Sequence, residues 1–166
     1  MKYIALMACV AFGSSAMAAD LSVGSPAPDM QAKLLDSAEV FQLSQQTGKT
    51  VIVNFWATWC APCKAEMPTL QAYLDKHKSE GLAVLAISMD DARDLPAVRK
   101  ISQQYSFQMA LMSDANVKAL GRIWRMPTTF VIDREGILRK NGQVGDAAIT
   151  ATELETLVTP LLKQAQ

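Results

Sequence analysis

Apolar positions along this chain fall into two alternating periods. Thr50 to Ala57, "TVIVNFWA", is a near-continuous apolar run rich in β-branched residues, the pattern of a strand buried on both faces. "LAVLAISM", from Leu82 to Met89, repeats that pattern. Between them Met67, Leu70, Tyr73 and Leu74 recur at helical spacing, and Gly81 supplies a stop. Pro68 lies inside this helix and is expected to kink it. Leu95, Val98 and Ile101 share one face of a second helix. "QMALMS" reads as a third strand, and "DANVKALGRIW" as a short helix capped by Asp114. "TTFVID", "REG" and "ILRKNGQ" read as strand, turn and hairpin partner. "TATELETLVTPLLKQA" is a closing helix interrupted by Pro160. Ahead of all these, "VGSPAPDM" is an extended lead-in, and "QAKLLD" and "EVFQL" are short strands around a turn.

Strands that alternate with helices imply parallel pairing and an α/β fold, with helices on both faces of a sheet. The terminal hairpin makes that sheet mixed. A length of 166 residues suggests one domain.

The first residues follow another logic. Lys2 precedes an apolar run from Tyr3 to Gly13, and Ala16-Met17-Ala18 has the form of a cleavage site. Residues 1–18 therefore read as a secretory signal peptide and residues 19–166 as the domain. The run is shorter than the roughly 20 apolar residues of a membrane span, so an uncleaved anchor is the lesser reading. Leu6-Met7-Ala8-Cys9 resembles a lipidation box but comes too early.

Half the residues are hydrophobic, 19% are charged and the formal net charge is zero, so nothing points to nucleic acid. Removal of the signal removes Cys9 and leaves Cys60 and Cys63, in "FWATWCAPC". A disulfide-stapled secreted domain would carry four or more cysteines. Zinc would need two further ligands, and His77 is the only histidine, so no metal is assigned. A purely structural disulfide would close a loop too small to constrain much of the unfolded chain.

Cys60 lies just past a buried strand, at the start of a helix. Unpaired N–H groups and the helix dipole there favour a thiolate. The carboxyl ends of strands are also where α/β sheets place their sites. Pro62 suits the first helical turn and stiffens the loop between the thiols. Cys60 is thus the candidate nucleophile, and Cys63, one turn in, the candidate resolving thiol.

"NFWATWCAPCKAEMPTL" together with "MPTTFVIDREG" resembles the thioredoxin fold and, more narrowly, the secreted thiol–disulfide oxidoreductases of the TlpA/ResA type. The resemblance spans nearly the whole mature chain. It implies a thioredoxin-like fold with a mixed central sheet and a central strand–helix insertion near residues 82–112. It makes Pro68 the family's helix-kinking proline and Pro127 its cis-proline. Glu66, one turn after Cys63, matches the branch's glutamate, a third catalytic candidate able to exchange a proton with the thiols. Trp59, Pro62, Met126 and Pro127 are the candidate client-binding residues, and Trp56 is expected in the core. Three departures stand out: Asn54 replaces the buried aspartate of classical thioredoxin, Arg125 stands where glycine is usual, and Thr128 follows the cis-proline where the cytochrome c maturation branch tends to carry glutamate.

The implied activity is periplasmic reduction of disulfides in secreted client proteins bearing cysteine pairs, such as apocytochrome c or copper-site assembly proteins. The implied partner is a membrane thiol carrier that supplies electrons. No cofactor is implied, and a monomer is expected. Two other readings stand beside it. A peroxiredoxin-like peroxidase would need threonine three positions before its cysteine, where Ala57 stands. A redox-regulated metal carrier would bind metal without turnover.

Overall fold

The computed structural model describes residues 21–163, so the signal-like segment lies outside the described residues. Seven strands form one sheet in the order β2-β1-β5-β4-β3-β6-β7. In chain order these are β1 (Gln31–Leu34), β2 (Val40–Gln42), β3 (Thr50–Trp56), β4 (Leu82–Ser88), β5 (Gln108–Asn116), β6 (Thr128–Ile132) and β7 (Leu138–Lys140). β3, β4 and β5 run parallel, whereas β6 pairs antiparallel with β3, and β1 with β5. The sheet is therefore mixed, as the alternation and the hairpin imply.

All seven residues of β3 are buried, because it is central and covered on both faces. Its side chains alternate between two cores. Ile52 and Trp56 join Met67 and Leu70 of helix α1 (Ala61–His77), Val98 of helix α2 (Leu95–Ser102), and Leu154 and Val158 of the closing helix. Val51, Val53 and Phe55 join Met30, Phe41, Leu120 and Phe130 on the other side. Helical elements cover both faces unequally: the long helices take the first, and 3-10 turns at Leu43–Gln46 and Lys118–Leu120 help cover the second.

One segment departs from the sequence pattern. The helix expected from Asp114 onward is strand as far as Asn116, followed by the single turn Lys118–Leu120. β1 recruits this stretch, pairing Ala32 with Ala115 and Gln31 with Asn116. Asp114 is an exposed strand residue and caps nothing. Ladder hydrogen bonds with β1 override a local helix preference.

α1 runs unbroken through Pro68. It hands over through a 3-10 turn to Gly81, whose φ of +78° is a left-handed stop that glycine tolerates. The closing helix absorbs Pro160 differently. Between α turns at Ala151–Glu153 and Thr159–Leu162 lies a π-helical stretch, Leu154–Val158, in which the Thr159 amide reaches back to the Leu154 carbonyl. The wider turn suits a residue without an N–H.

Candidate active site

Cys60 and Cys63 form a disulfide with their Cα atoms 5.3 Å apart. Cys60 is the N-cap of α1, and its Sγ accepts the Cys63 backbone N–H at 3.2 Å. Pro62 occupies the first turn, where no backbone donor is lost. A reduced Cys60 sulfur would therefore sit at a helix start, where free N–H groups favour negative charge. Cys60 retains 6% of its surface and Cys63 only 1%, so Cys60 is the more accessible of the pair.

The loop that carries the pair is tied down from β4. Asp90, buried beyond that strand, accepts the Thr58 backbone N–H at 2.8 Å and the Thr58 hydroxyl at 2.6 Å. Ser88 donates to the same carboxylate at 2.6 Å. The Met89 amide continues the ladder to the Trp56 carbonyl at 2.8 Å. The sequence pattern does not single out Asp90. Its signal is positional: an aspartate at the carboxyl end of the strand next to the one that delivers the cysteines.

Glu66 points inward and is buried beneath the pair's helix. Its Oε1 accepts the Ile149 amide at 2.6 Å and the Thr129 hydroxyl at 3.3 Å, and its Oε2 accepts the Asn54 amide group at 3.2 Å. Asn54 also donates to Thr129 at 2.9 Å. Burial raises the Glu66 pKa above the ordinary glutamate value. These hydrogen bonds and the charge of Lys140 pull the other way but do not cancel it. Glu66 is thus no ordinary first-turn helix residue, and Asn54, where classical thioredoxin has an acid, serves as its donor. Lys140, mostly buried, bonds Glu153 at 2.7 Å and the Asp146 carbonyl at 3.0 Å. Thr129 and Lys140 escape sequence reasoning because only strand pairing brings them here.

Met126–Pro127 is a cis peptide, and Pro127 is buried. Met126 is half-buried and packs against the core that includes both cysteines. The departures just before and after this bond form one arrangement. Arg125 donates through Nε and Nη2 to the Gly142 carbonyl, at 3.2 and 2.7 Å, and through Nη2 to the Gly145 carbonyl at 2.8 Å. Its guanidinium lies 5.0 Å from the centre of the Trp124 ring. Thr128 donates back to the Arg125 carbonyl at 2.7 Å. Trp59 and Trp124 are exposed at 67% and 63%, whereas Trp56 is fully buried.

Gly142 itself packs against β6: a Cβ there would lie 2.5 Å from both the Thr129 nitrogen and its oxygen. Among the described residues, no three His, Cys, Asp or Glu side chains cluster as a metal site requires.

The fold and the reactive pair define a thiol–disulfide oxidoreductase with a thioredoxin-like fold. The family model for the AhpC/TSA family matches residues 23–141. Thiol-disulfide oxidoreductase ResA of Oceanobacillus iheyensis is 37% identical over 148 residues, covering 86% of this chain and 74% of that protein. Thioredoxin-like protein YneN of Bacillus subtilis is 35% identical over 118 residues, covering 70% and 68%. The crystal structure of a thiol:disulfide interchange protein of the thioredoxin family from Chlorobium tepidum superposes with a TM-score of 0.70 at 25% identity, covering 85% of this chain and 98% of that one. The chain belongs to the AhpC/TSA family and is one of its ResA-like thiol–disulfide oxidoreductases.

Proposed function

We propose that the protein reduces disulfides in exported client proteins, with Cys60 as the attacking sulfur, Cys63 as the resolving thiol and Glu66 as the group that takes up the Cys63 proton. The carrying observation is the graded burial of the two cysteines at a helix start, with a buried carboxylate of raised pKa one turn further on.

In the first step the Cys60 thiolate attacks one sulfur of the client disulfide. A mixed disulfide forms, and the other client sulfur leaves as a thiolate. In the second step Cys63 loses its proton and attacks the Cys60 sulfur. The mixed disulfide breaks, the Cys60–Cys63 bond forms, and the client leaves with two reduced cysteines. Two electrons pass to the client, and a second thiol donor must restore them. A membrane thiol carrier suits that part. Trp59, Pro62, Met126 and Pro127 are the residues that receive the client.

Residues 1–18 would direct export to the periplasm, where the protein acts as a monomer. No helix among the described residues is long and apolar enough to cross a membrane. The peroxidase reading gains no support at its key position. Ala57 stands there, and the neighbouring Thr58 hydroxyl is engaged with Asp90.

The test is reduction of insulin disulfides by wild type and Cys60→Ser, together with the reduction potential of the pair. Activity that disappears in Cys60→Ser and a potential near about −270 mV support a reductant. A potential near about −120 mV would make the protein an oxidant instead.

A further inference from the structure

Arg125 contrasts with five described lysines and arginines that pair with carboxylates. Arg93, Arg99 and Arg139 each face an aspartate, and Lys76 and Lys140 each face a glutamate. The bonds of Arg125 go to the neutral carbonyls of Gly142 and Gly145. Among the described residues no carboxylate forms an ion pair with it. Asp146 follows Gly145 directly and is exposed, yet its carboxylate does not close on the guanidinium. The buried acids of the candidate site are committed elsewhere, Asp90 to Thr58 and Ser88, Glu66 to Asn54, Thr129 and Ile149.

Carbonyl partners orient a guanidinium without neutralising it. The forked contact and the Trp124 ring fix the group, so little side-chain freedom remains to be lost when an anion arrives. Nη1 has no hydrogen bond among the described residues and keeps its donors. Arg122, three positions earlier in the same loop, is exposed and also without an ion-pair partner among them. This loop also carries Met126 and Pro127, and Met126 packs on the core that holds the disulfide. The formal net charge of the chain is zero, so this unbalanced charge is a local feature.

We infer that Arg125 is a specificity-determining residue: its fixed, uncompensated charge beside the cis-proline favours client segments with a carboxylate next to their cysteine. The inference rests on the proposed exchange at Cys60–Cys63.

Three peptides with an internal disulfide test it, bearing Glu, Gln or Lys beside the attacked cysteine. Each kcat/KM is divided by the rate of the same peptide with dithiothreitol, which removes the intrinsic effect of the charge. Wild type should rank Glu above Gln above Lys, by about threefold per step at low salt, as expected for an exposed pair. The ranking should collapse at 1 M salt, where the screening length is about 3 Å. Arg125→Gln should flatten the ranking whatever its effect on absolute rates. Arg125→Lys, which keeps the charge and loses the fork, should retain it.

A flat wild-type ranking overturns the inference. So does a ranking that survives in Arg125→Gln, or one that disappears equally in Arg125→Lys, which would make the residue a loop brace only. If no peptide is reduced at all, the exchange reading fails and the inference falls with it.

Discussion

The Glu66 carboxylate accepts the Ile149 amide at 2.6 Å, so one buried side chain joins the helix of the reactive cysteines to the loop before the closing helix. Because burial raises its pKa, the folded chain holds this proton more tightly than the unfolded chain does. Stability is then fullest below the ordinary glutamate value and falls as pH rises through the raised one. Glu66→Gln removes that titration. Thermal melts across the acid-to-neutral range should show wild type losing stability with rising pH relative to Glu66→Gln. Curves that stay parallel would contradict the raised pKa.

The same substitution separates a catalytic from a structural carboxylate. If Glu66 takes the Cys63 proton, Glu66→Gln should slow resolution of the mixed disulfide by roughly 10²-fold. The thiols titrate as a coupled pair, so thiolate absorbance should shift in at least one apparent pKa. An unchanged rate with unchanged thiol titrations would leave Glu66 a structural tie.

Cys63→Ser should capture clients as mixed disulfides, because attack still occurs and resolution does not. Gel electrophoresis of cell extracts without reductant reads this directly. Capture by Cys60→Ser and not by Cys63→Ser would reverse the two roles.

Asp90→Asn keeps the shape of the loop brace and turns one acceptor into a donor. The carboxylate receives both Thr58 donors and Ser88, so at least one of them loses its acceptor. The expected loss is about 1–3 kcal/mol in denaturant unfolding, with faster hydrogen exchange at the Thr58 amide. Wild-type protection at that amide would show that the brace is dispensable.

Gly142→Ala puts a methyl group against the Thr129 backbone, where a Cβ would meet nitrogen and oxygen at 2.5 Å. Strand β6 or the loop must move. A loss of about 1–3 kcal/mol is expected by chemical denaturation, as for other overpacked sites. Since Thr129 also donates to Glu66, the thiol titration should shift with it.

Much of this site is legible in the sequence because it is local. The run Thr50–Trp56, the cysteines after it and Pro62 in the first turn follow from period and spacing along one stretch, and Glu66, one turn beyond Cys63, from the family resemblance. Pro127 is legible through family resemblance, and its cis bond agrees. What stays hidden depends on partners distant in sequence. Asn54 finds Thr129 across the β3–β6 ladder, and Thr58 meets Asp90 because β3 and β4 run side by side. Arg125 gives no hint that its partners are two glycine carbonyls. The failed helix at Asp114 has the same origin, since a strand from near the start of the domain decides its conformation.

The unequal burial of Cys60 and Cys63 would also govern traffic in the proposed exchange. With Cys63 sealed and Cys60 barely open, beside the exposed Trp59, a single doorway would serve every visitor. Under the proposed mechanism, the client that takes electrons and the donor that supplies them would use it in turn, never together. Turnover should then follow ping-pong kinetics, with parallel double-reciprocal lines. Excess client should slow its own reduction by blocking the donor's access. On the proposed exchange, the chain would be a shuttle that empties and refills at one port, its throughput limited by whichever partner is slower to leave.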